Sequence, residues 1–387
     1  MNRTRRDESL DVVHHLMVGI GPRSATSLAE AQAAAYIDGR LRRAGMRVSA
    51  EAFTAPASFG WTYPLLAILS GLIALLSVWL PLLSLLLALL GLALVLSDGA
   101  LISLPSLASH GESQNVVGTR ASEKEERWRV VLLAPLDSPL QQGWFARFRG
   151  ARRAAIIGRI IAFTLLALLS GLQLLDPQHP FWLYSHALPV MYLLLTQIPG
   201  AFRTKAAAKA EMPGGAGALA AMLAAVERLG TLRQVQVWAV ALGATATGNS
   251  GLRNFLERYP FPQDTTLFIA LEMIAQGQLT YISREGVLLR QYSADPLLMQ
   301  LAADADASDT RIDAEPRSYH AAPTLATLLH AEGYRPLTLM TSATFTKPVS
   351  RDSDTTAVDQ QTIERAARLF TAIVKRLDEE GGSGNGM

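Results

Sequence analysis

The chain has 387 residues, with 35 Lys and Arg against 33 Asp and Glu, no Cys, and 50% hydrophobic residues. Lack of Cys excludes a disulfide framework, a Cys nucleophile and a thiolate metal site. A net charge of +2 excludes a global basic field for nucleic acid, and a positive mean hydropathy excludes a disordered chain and points to membrane segments.

Asp7 to Gly45 reads as helical in large part. Ala33, Ala34, Ile37, Leu41 and Ala44 recur at helical spacing, and Gly45 ends the pattern. Met46 to Phe53 alternates like a strand. Met1 to Asp11 is charged and no long apolar stretch precedes residue 52, so no N-terminal signal peptide is expected. Ala52 to Ser97 holds no charged residue. Its apolar part, Trp61 to Leu96, would be about 55 Å long as one helix. A membrane core takes about 20 residues. A hairpin broken at Pro81 is therefore expected, with spans at 61–80 and 82–97. Buried core helices of a soluble protein are the competing reading.

Trp128 to Leu133 reads as a buried strand. A second apolar pair follows. Ala154 to Leu175 is apolar apart from Arg159 and a few weakly polar residues, and Arg159 lies near the start and can snorkel to the interface. Asp176 to Pro180 is a turn by composition. Phe181 to Ile198 returns, with Trp182, Tyr184 and Tyr192 as interfacial aromatics and a kink expected at Pro189. Arg147, Arg149, Arg152, Arg153 and Arg159 precede or open the third span, Arg203, Lys205 and Lys209 follow the fourth, and the hairpin tips carry no Lys or Arg. The positive-inside rule then places the tips outside, and both termini and the polar segments in the cytoplasm. A multi-pass protein of a bacterial inner membrane is the expectation. The Arg cluster is also suited to anionic lipid headgroups.

Further on, Ala216–Leu229 reads as a helix rich in small residues, Val235–Leu242 as a strand, 250–258 as a helix and Thr266–Met273 as a strand. Thr324–Glu332 reads as a helix, Pro336–Met340 as a strand and Gln360–Leu377 as an amphipathic helix. Residues 381–387 form a flexible tail. The expected fold is α/β: a mixed, mostly parallel sheet covered by helices on both faces, with four inserted transmembrane helices in two hairpins. Residues 1–55, 98–150 and 205–380 together make one discontinuous domain, and 61–97 and 154–200 are the hairpins.

The order of segments resembles the zinc exopeptidases related to bacterial leucyl aminopeptidase, glutamate carboxypeptidase and glutaminyl cyclase (metallopeptidase family twenty-eight). The resemblance rests on residues 21–53, NVVGT at 115–119, VVLLAPLDS at 130–138, GGAGALAAMLAAVERL, VWAVALGATATGNSG, IALEMI and RDSDTTAVD. It implies a co-catalytic zinc pair held by two His and three carboxylates, with a Glu base. The positions it points to have changed. The family's H-x-D reads Pro135-Leu136-Asp137, and its bridging Asp falls near Pro213. Its Glu-Glu pair falls on or beside Thr245-Ala246, its next Asp on Glu272 and its last His on Ser350. Only Asp137 and Glu272 keep carboxylates.

The seven His form no HExxH, HxH or HxD motif. His320 and His330 could lie near the old site mouth, outside the family's register; a site rebuilt from Glu272, Asp352, Asp354 and His320 is the alternative. Gly248-Asn249-Ser250-Gly251 reads as a loop and helix cap by Asn249 or Ser250, and not as a nucleophile elbow. The expectation is a non-catalytic relative without cofactor. It would be anchored in the bilayer and act as a scaffold, a peptide-binding protein or an accessory subunit of a membrane complex, with no nucleic-acid partner. An active membrane-bound metallo-aminopeptidase or related hydrolase, which would need zinc, is the alternative, and a transporter is disfavoured because the spans lack buried charge.

Overall fold

Alternating apolar residues divide the central strands between two cores. Val130, Leu132 and Ala134 enter one, and Val131 and Leu133 the other, the alternation of a strand covered on both faces. The computed structural model describes residues 2–57, 62–99, 109–138, 151–176, 179, 181–201, 213–320, 322–342 and 358–383. Arg147, Arg149, Arg203, Lys205, Lys209, Ser350, Asp352, Asp354 and residues 384–387 lie outside them.

The strands are β1 (Arg47–Pro56), β2 (His110–Arg120), β3 (Trp128–Pro135), β4 (Val235–Leu242), β5 (Thr266–Leu271), β6 (Leu279–Gly286), β7 (Gln291–Ser293), β8 (Ala314–Tyr319) and β9 (Arg335–Thr341). Among the described residues they form one sheet in the order β1-β2-β4-β3-β5-β9-β6-β7, with β8 beside β6. The centre, β4-β3-β5-β9, is parallel. The pairs β1–β2, β2–β4, β9–β6 and β6–β7 are antiparallel. The sheet is therefore mixed, as expected, with parallel pairs at its centre and at β6–β8; the β6–β7 pair is antiparallel because a parallel neighbour needs a crossover connection and this hairpin has none.

The helices are α1 (Asn2–His14), α2 (Leu28–Arg43), α3 (Thr62–Ser77), α4 (Pro81–Gly99), α5 (Ala151–Gln173), α6 (Phe181–Ser185), α7 (Ala187–Ala201), α8 (Pro213–Arg228), α9 (Ser250–Arg258), α10 (Pro296–Ser308), α11 (Leu325–Ala331) and α12 (Gln360–Ser383). A π-helical turn, His15–Ile20, extends α1. Helices α1, α2, α8, α10 and α12 cover one face, while α9 and α11 cover the other. In α2, Ser27 caps the N-terminus by accepting from Glu30 N, Ala33, Ala34, Ile37 and Leu41 face the core, and Gly45 leaves the helix at φ 81°. Asn249 makes no capping bond to α9; it sits in the left-handed region at φ 56°, so the cap read from the sequence is absent.

Helices α3, α4, α5 and α7 form a separate cluster around Leu66, Leu69, Ile73, Ala88, Phe163, Leu166 and Leu193. Four spans were expected. Among the described residues only Ala154–Gln173 is long and apolar enough to cross a membrane; Pro64–Ser77, Pro81–Ser97 and Ala187–Ile198 are shorter. The first hairpin loses helical length to the turn before Pro81, so the 16 residues of α3 span about 24 Å against a core of about 30 Å. The return of the second breaks between α6 and α7, three residues before the Pro189 expected to kink it. Pro189 has no N–H to give to Ser185, and its ring crowds that carbonyl.

Polar side chains link this apolar cluster. Ser84 Oγ lies 2.9 Å from Ser170 Oγ, and Ser170 Oγ lies 3.2 Å from His186 Nε2. Trp182 O accepts from His186 Nδ1 at 3.0 Å, which leaves Nε2 as the acceptor for Ser170. Hydrogen bonds of this kind hold helices together where the surroundings are apolar.

Gly217 on α8 lets that helix lie against the chain that follows β5. A Cβ there would come within 1.8 Å of Ile274 O. Gly217→Ala is expected to destabilise the protein by about 2 kcal/mol, an overpacking cost. Thermal unfolding in detergent measures it.

Candidate functional site

The parallel centre of the sheet ends in three consecutive turns, after β4, β3 and β5. Ligands of open α/β sheets bind at such carboxyl edges. Asp137 follows β3, the 243–249 loop follows β4, and Glu272 follows β5.

Pro135 pairs with Leu242, and Leu136 N donates to Leu242 O at 2.8 Å, which delivers Asp137 to the β4 loop. Asp137 is fully buried. Its Oδ1 accepts from Thr245 N at 2.9 Å and from Thr245 Oγ1 at 2.5 Å, and its Oδ2 accepts from Ala246 N at 2.8 Å. The preceding amide, Ala244 N, donates to Glu30 Oε1 at 2.8 Å. Three successive amides thus face two buried carboxylates. Ala244, at φ 47°, turns the loop so that they can.

Glu30 also accepts on Oε2 from Thr26 N at 2.7 Å and from Ser113 Oγ at 3.0 Å. Burial, then the Asp137 charge, raise its pKa from 4.5 to about 7. Burial likewise raises Asp137 above the usual carboxylate range, against the hydrogen bonds from Thr245 and Ala246. The buried Arg23 ties the same edge to the N-terminal segment. Its Nε donates to Leu136 O at 2.8 Å, and Ser138 N donates to Arg23 O at 2.7 Å.

Glu272 serves another cluster. Its backbone N donates to Leu339 O at 2.9 Å, and its Oε1 accepts from Leu325 N at the start of α11. Thr324 and Thr327 form a capping box on that helix. Thr324 also donates to Glu285 Oε2, and Thr338 Oγ1 lies 3.0 Å from both Glu285 oxygens. His330 Nε2 lies 3.8 Å from Glu285 Oε1, and its ring stacks on Tyr292 at 5.1 Å. Burial raises Glu272 and Glu285 from 4.5 to about 7 each, with the Glu285 charge adding to the rise at Glu272. Burial lowers His330 from 6.5 to about 4, so it stands neutral at pH 7.

The structure brings Asp137 together with Thr245 and Ala246, and turns Glu272 toward α11. Pro135 contributes a strand end, and Pro213 opens α8. Sequence reading passed over Glu30, Arg23, Ser113 and Glu285. Glu30 stands at N3 of α2, after the Ser27 cap, a place where a Glu is ordinarily solvated, and the sequence gives no sign that its carboxylate turns inward. These residues do not fit a zinc pair. Both Asp137 oxygens already take three protein donors, and Pro135 and Ala246 carry no ligand atom. Among the described residues no three His, Asp or Glu side chains form a group able to hold a metal. A hollow of about 320 Å³, lined by Arg47, Ser49, Thr119, Gln236, Trp238 and Tyr259, lies toward the opposite end of β4.

Two outcomes are expected. Asp137→Ala strands the donors of Thr245 and Ala246 and is expected to cost about 3 kcal/mol, while Asp137→Asn keeps one acceptor and costs less; denaturant unfolding separates them. The second concerns pH. Glu30, Glu272 and Glu285 are held more protonated in the fold, so the stability they contribute is complete below pH 4.5 and is lost as pH rises to about 7. His330 acts oppositely: its contribution is complete above pH 6.5 and is lost as pH falls toward about 4. Three carboxyls outweigh one imidazole. Melting temperature is expected to fall between about pH 5 and about pH 7, and less steeply in Glu285→Gln.

No protein-family profile and no curated protein sequence matches the chain. Solved structures do match its fold. BSAP, a zinc aminopeptidase from Bacillus subtilis, aligns with a TM-score of 0.55 at 12% identity, over 96% of this chain and 94% of that one. The aminopeptidase from Aneurinibacillus sp. strain AM-1 aligns with a TM-score of 0.55 at 12% identity, over 97% and 94%. Porphyromonas gingivalis glutaminyl cyclase aligns with a TM-score of 0.52 at 10% identity, over 97% and 98%. The chain is similar in fold to zinc aminopeptidases and to this cyclase: a mixed sheet flanked by helices.

Proposed function

We propose that this chain is a membrane-anchored, non-catalytic exopeptidase-like protein that acts as a scaffold or as a peptide-binding accessory subunit of a membrane complex. The observation that carries this reading is that Asp137 is already held by three protein donors. A carboxylate already bound to two backbone amides and a hydroxyl is a structural anchor, and releasing it for a metal would strip the 244–246 loop of its acceptor. The neighbouring positions, Pro135 and Ala246, offer nothing in exchange.

The membrane part of the reading rests on what the helix cluster exposes. Ile68, Leu72, Leu75, Leu86, Leu90, Ile161, Leu165, Leu168 and Leu195 are each at least 40% exposed. Water does not tolerate so broad an apolar surface, and a bilayer does. Helices shorter than the hydrocarbon core can be accommodated by local thinning of the bilayer. In this reading all four cross, with the α/β domain on the cytoplasmic side where Arg152, Arg153 and Arg159 open α5. The hollow beside Trp238 offers a place for an extended peptide or partner segment.

The test is metal content and turnover of the full chain in mild detergent, after incubation with zinc and desalting. Metal near zero and no hydrolysis of aminoacyl substrates are expected. Tightly held zinc with turnover would overturn the reading in favour of an aminopeptidase with a rebuilt site.

A further inference from the structure

The hairpin between β6 and β7 turns over two leucines. Gly286 pairs with Gln291, and Val287 N donates to Arg290 O at 2.8 Å, which leaves Leu288 and Leu289 as the tip. Two-residue hairpin loops in water favour Asn-Gly, Asp-Gly or other glycine-containing pairs, which accept positive φ and stay solvated. Neither leucine takes a positive φ, so no backbone requirement accounts for them. Gly286 carries the conformational demand instead: its φ is 144°, and a Cβ there would lie 2.3 Å from Arg290 O.

The tip's surroundings identify what it meets. Leu288 packs against the apolar core of the α3–α4–α5–α7 cluster, and Leu289 is 52% exposed. Arg284 and Arg290 flank the tip and are exposed, while Glu285 between them is buried. Among the described residues the hairpin therefore presents an apolar point flanked by two exposed arginines. That combination suits the boundary between acyl chains and anionic headgroups.

We propose that Leu288 and Leu289 are a membrane-inserted anchor. They sit in the interfacial zone of the leaflet next to the α/β domain, with Arg284 and Arg290 on lipid phosphates. The proposal rests on the reading that the helix cluster lies in a bilayer. It adds a second attachment, which holds the β6–β7 end of the sheet against the membrane.

The lack of Cys makes the test clean. Leu289→Cys, Leu168→Cys on the exposed face of α5, and Lys124→Cys in the β2–β3 loop are each labelled with an environment-sensitive fluorophore. The full chain is reconstituted in vesicles of mixed phosphatidylcholine and phosphatidylglycerol. Interfacial groups lie about 5–10 Å into the headgroup boundary, so lipids with a nitroxide near the head of the acyl chain are expected to quench position 289 about twofold more than position 124. Nitroxides near the chain end should quench position 168. If position 168 is quenched and position 289 behaves like position 124, open to aqueous iodide, the hairpin proposal fails alone. If neither is quenched by lipid, the membrane reading fails with it.

Discussion

Two buried carboxylates at the end of a parallel sheet need hydrogen-bond donors, and here the backbone supplies most of them. Glu30 comes from α2 and Asp137 from the end of β3. Three successive amides of the β4 loop, at 244, 245 and 246, reach them. Unpaired, each carboxylate would carry a desolvation penalty of several kcal/mol, and so would stranded amides. The arrangement draws α2, β2, β3 and the β4 loop to one point. Ser113 on β2 completes the shell of Glu30, and Asn115 two residues on accepts from Gly243 N and donates to Gly251 O. In a metal enzyme of this fold a cation could meet the same need. In this chain each of the two carboxylates takes three donors, which close the sheet edge.

The second carboxylate pair solves the same problem differently. Glu272 takes an amide at the N-terminus of α11, where the helix dipole favours negative charge. Glu285 takes hydroxyls from Thr324 and Thr338. In both carboxyls, as in Glu30, burial outweighs the hydrogen bonds that favour the ionised form and raises the pKa from 4.5 to about 7. The neutral His330 beside Glu285 has the same cause: desolvation disfavours its charged form.

The helix cluster and the sheet join through β1, β2 and β3, whose connections carry the apolar helices, and through the β6–β7 hairpin. The cluster's interior is packed by shape. Gly91 leaves room for the ring of Phe163, because a Cβ there would lie 2.2 Å from Cε1. Ser84, Ser170 and His186 are hydrogen-bonded to one another inside the cluster, and large apolar side chains such as Ile68, Leu168 and Leu195 face outward.

Local signals carried most of the central architecture. Val130–Leu133 and Val235–Leu242 are apolar on both faces and declare buried strands, and the spacing of Ala33, Ile37 and Leu41 declares the face of α2. Asp137, Thr245 and Glu272 came to notice through the resemblance of the segments to the zinc exopeptidases, and Glu272, expected inside the strand Thr266–Met273, follows a β5 that ends at Leu271. The segment AEPRSY was not legible as β8, because Pro316 and its charges suit an edge strand and no periodic pattern marks it. The Asp295-Pro296 start of α10 was a readable cap that the apolar spacing after it did not reinforce. The charge-poor hairpins announced apolar helices, while their lengths depended on where Pro81 and His186 break them. What no local rule contains is the partner of a carboxylate. Glu30 reads as a solvated helix-start residue, and only packing of α2 against β2 and the β4 loop, 214 positions away, makes it a buried acceptor. Sequence periodicity reports which face of an element is apolar; which polar groups meet inside depends on long-range contacts that the folded chain alone creates.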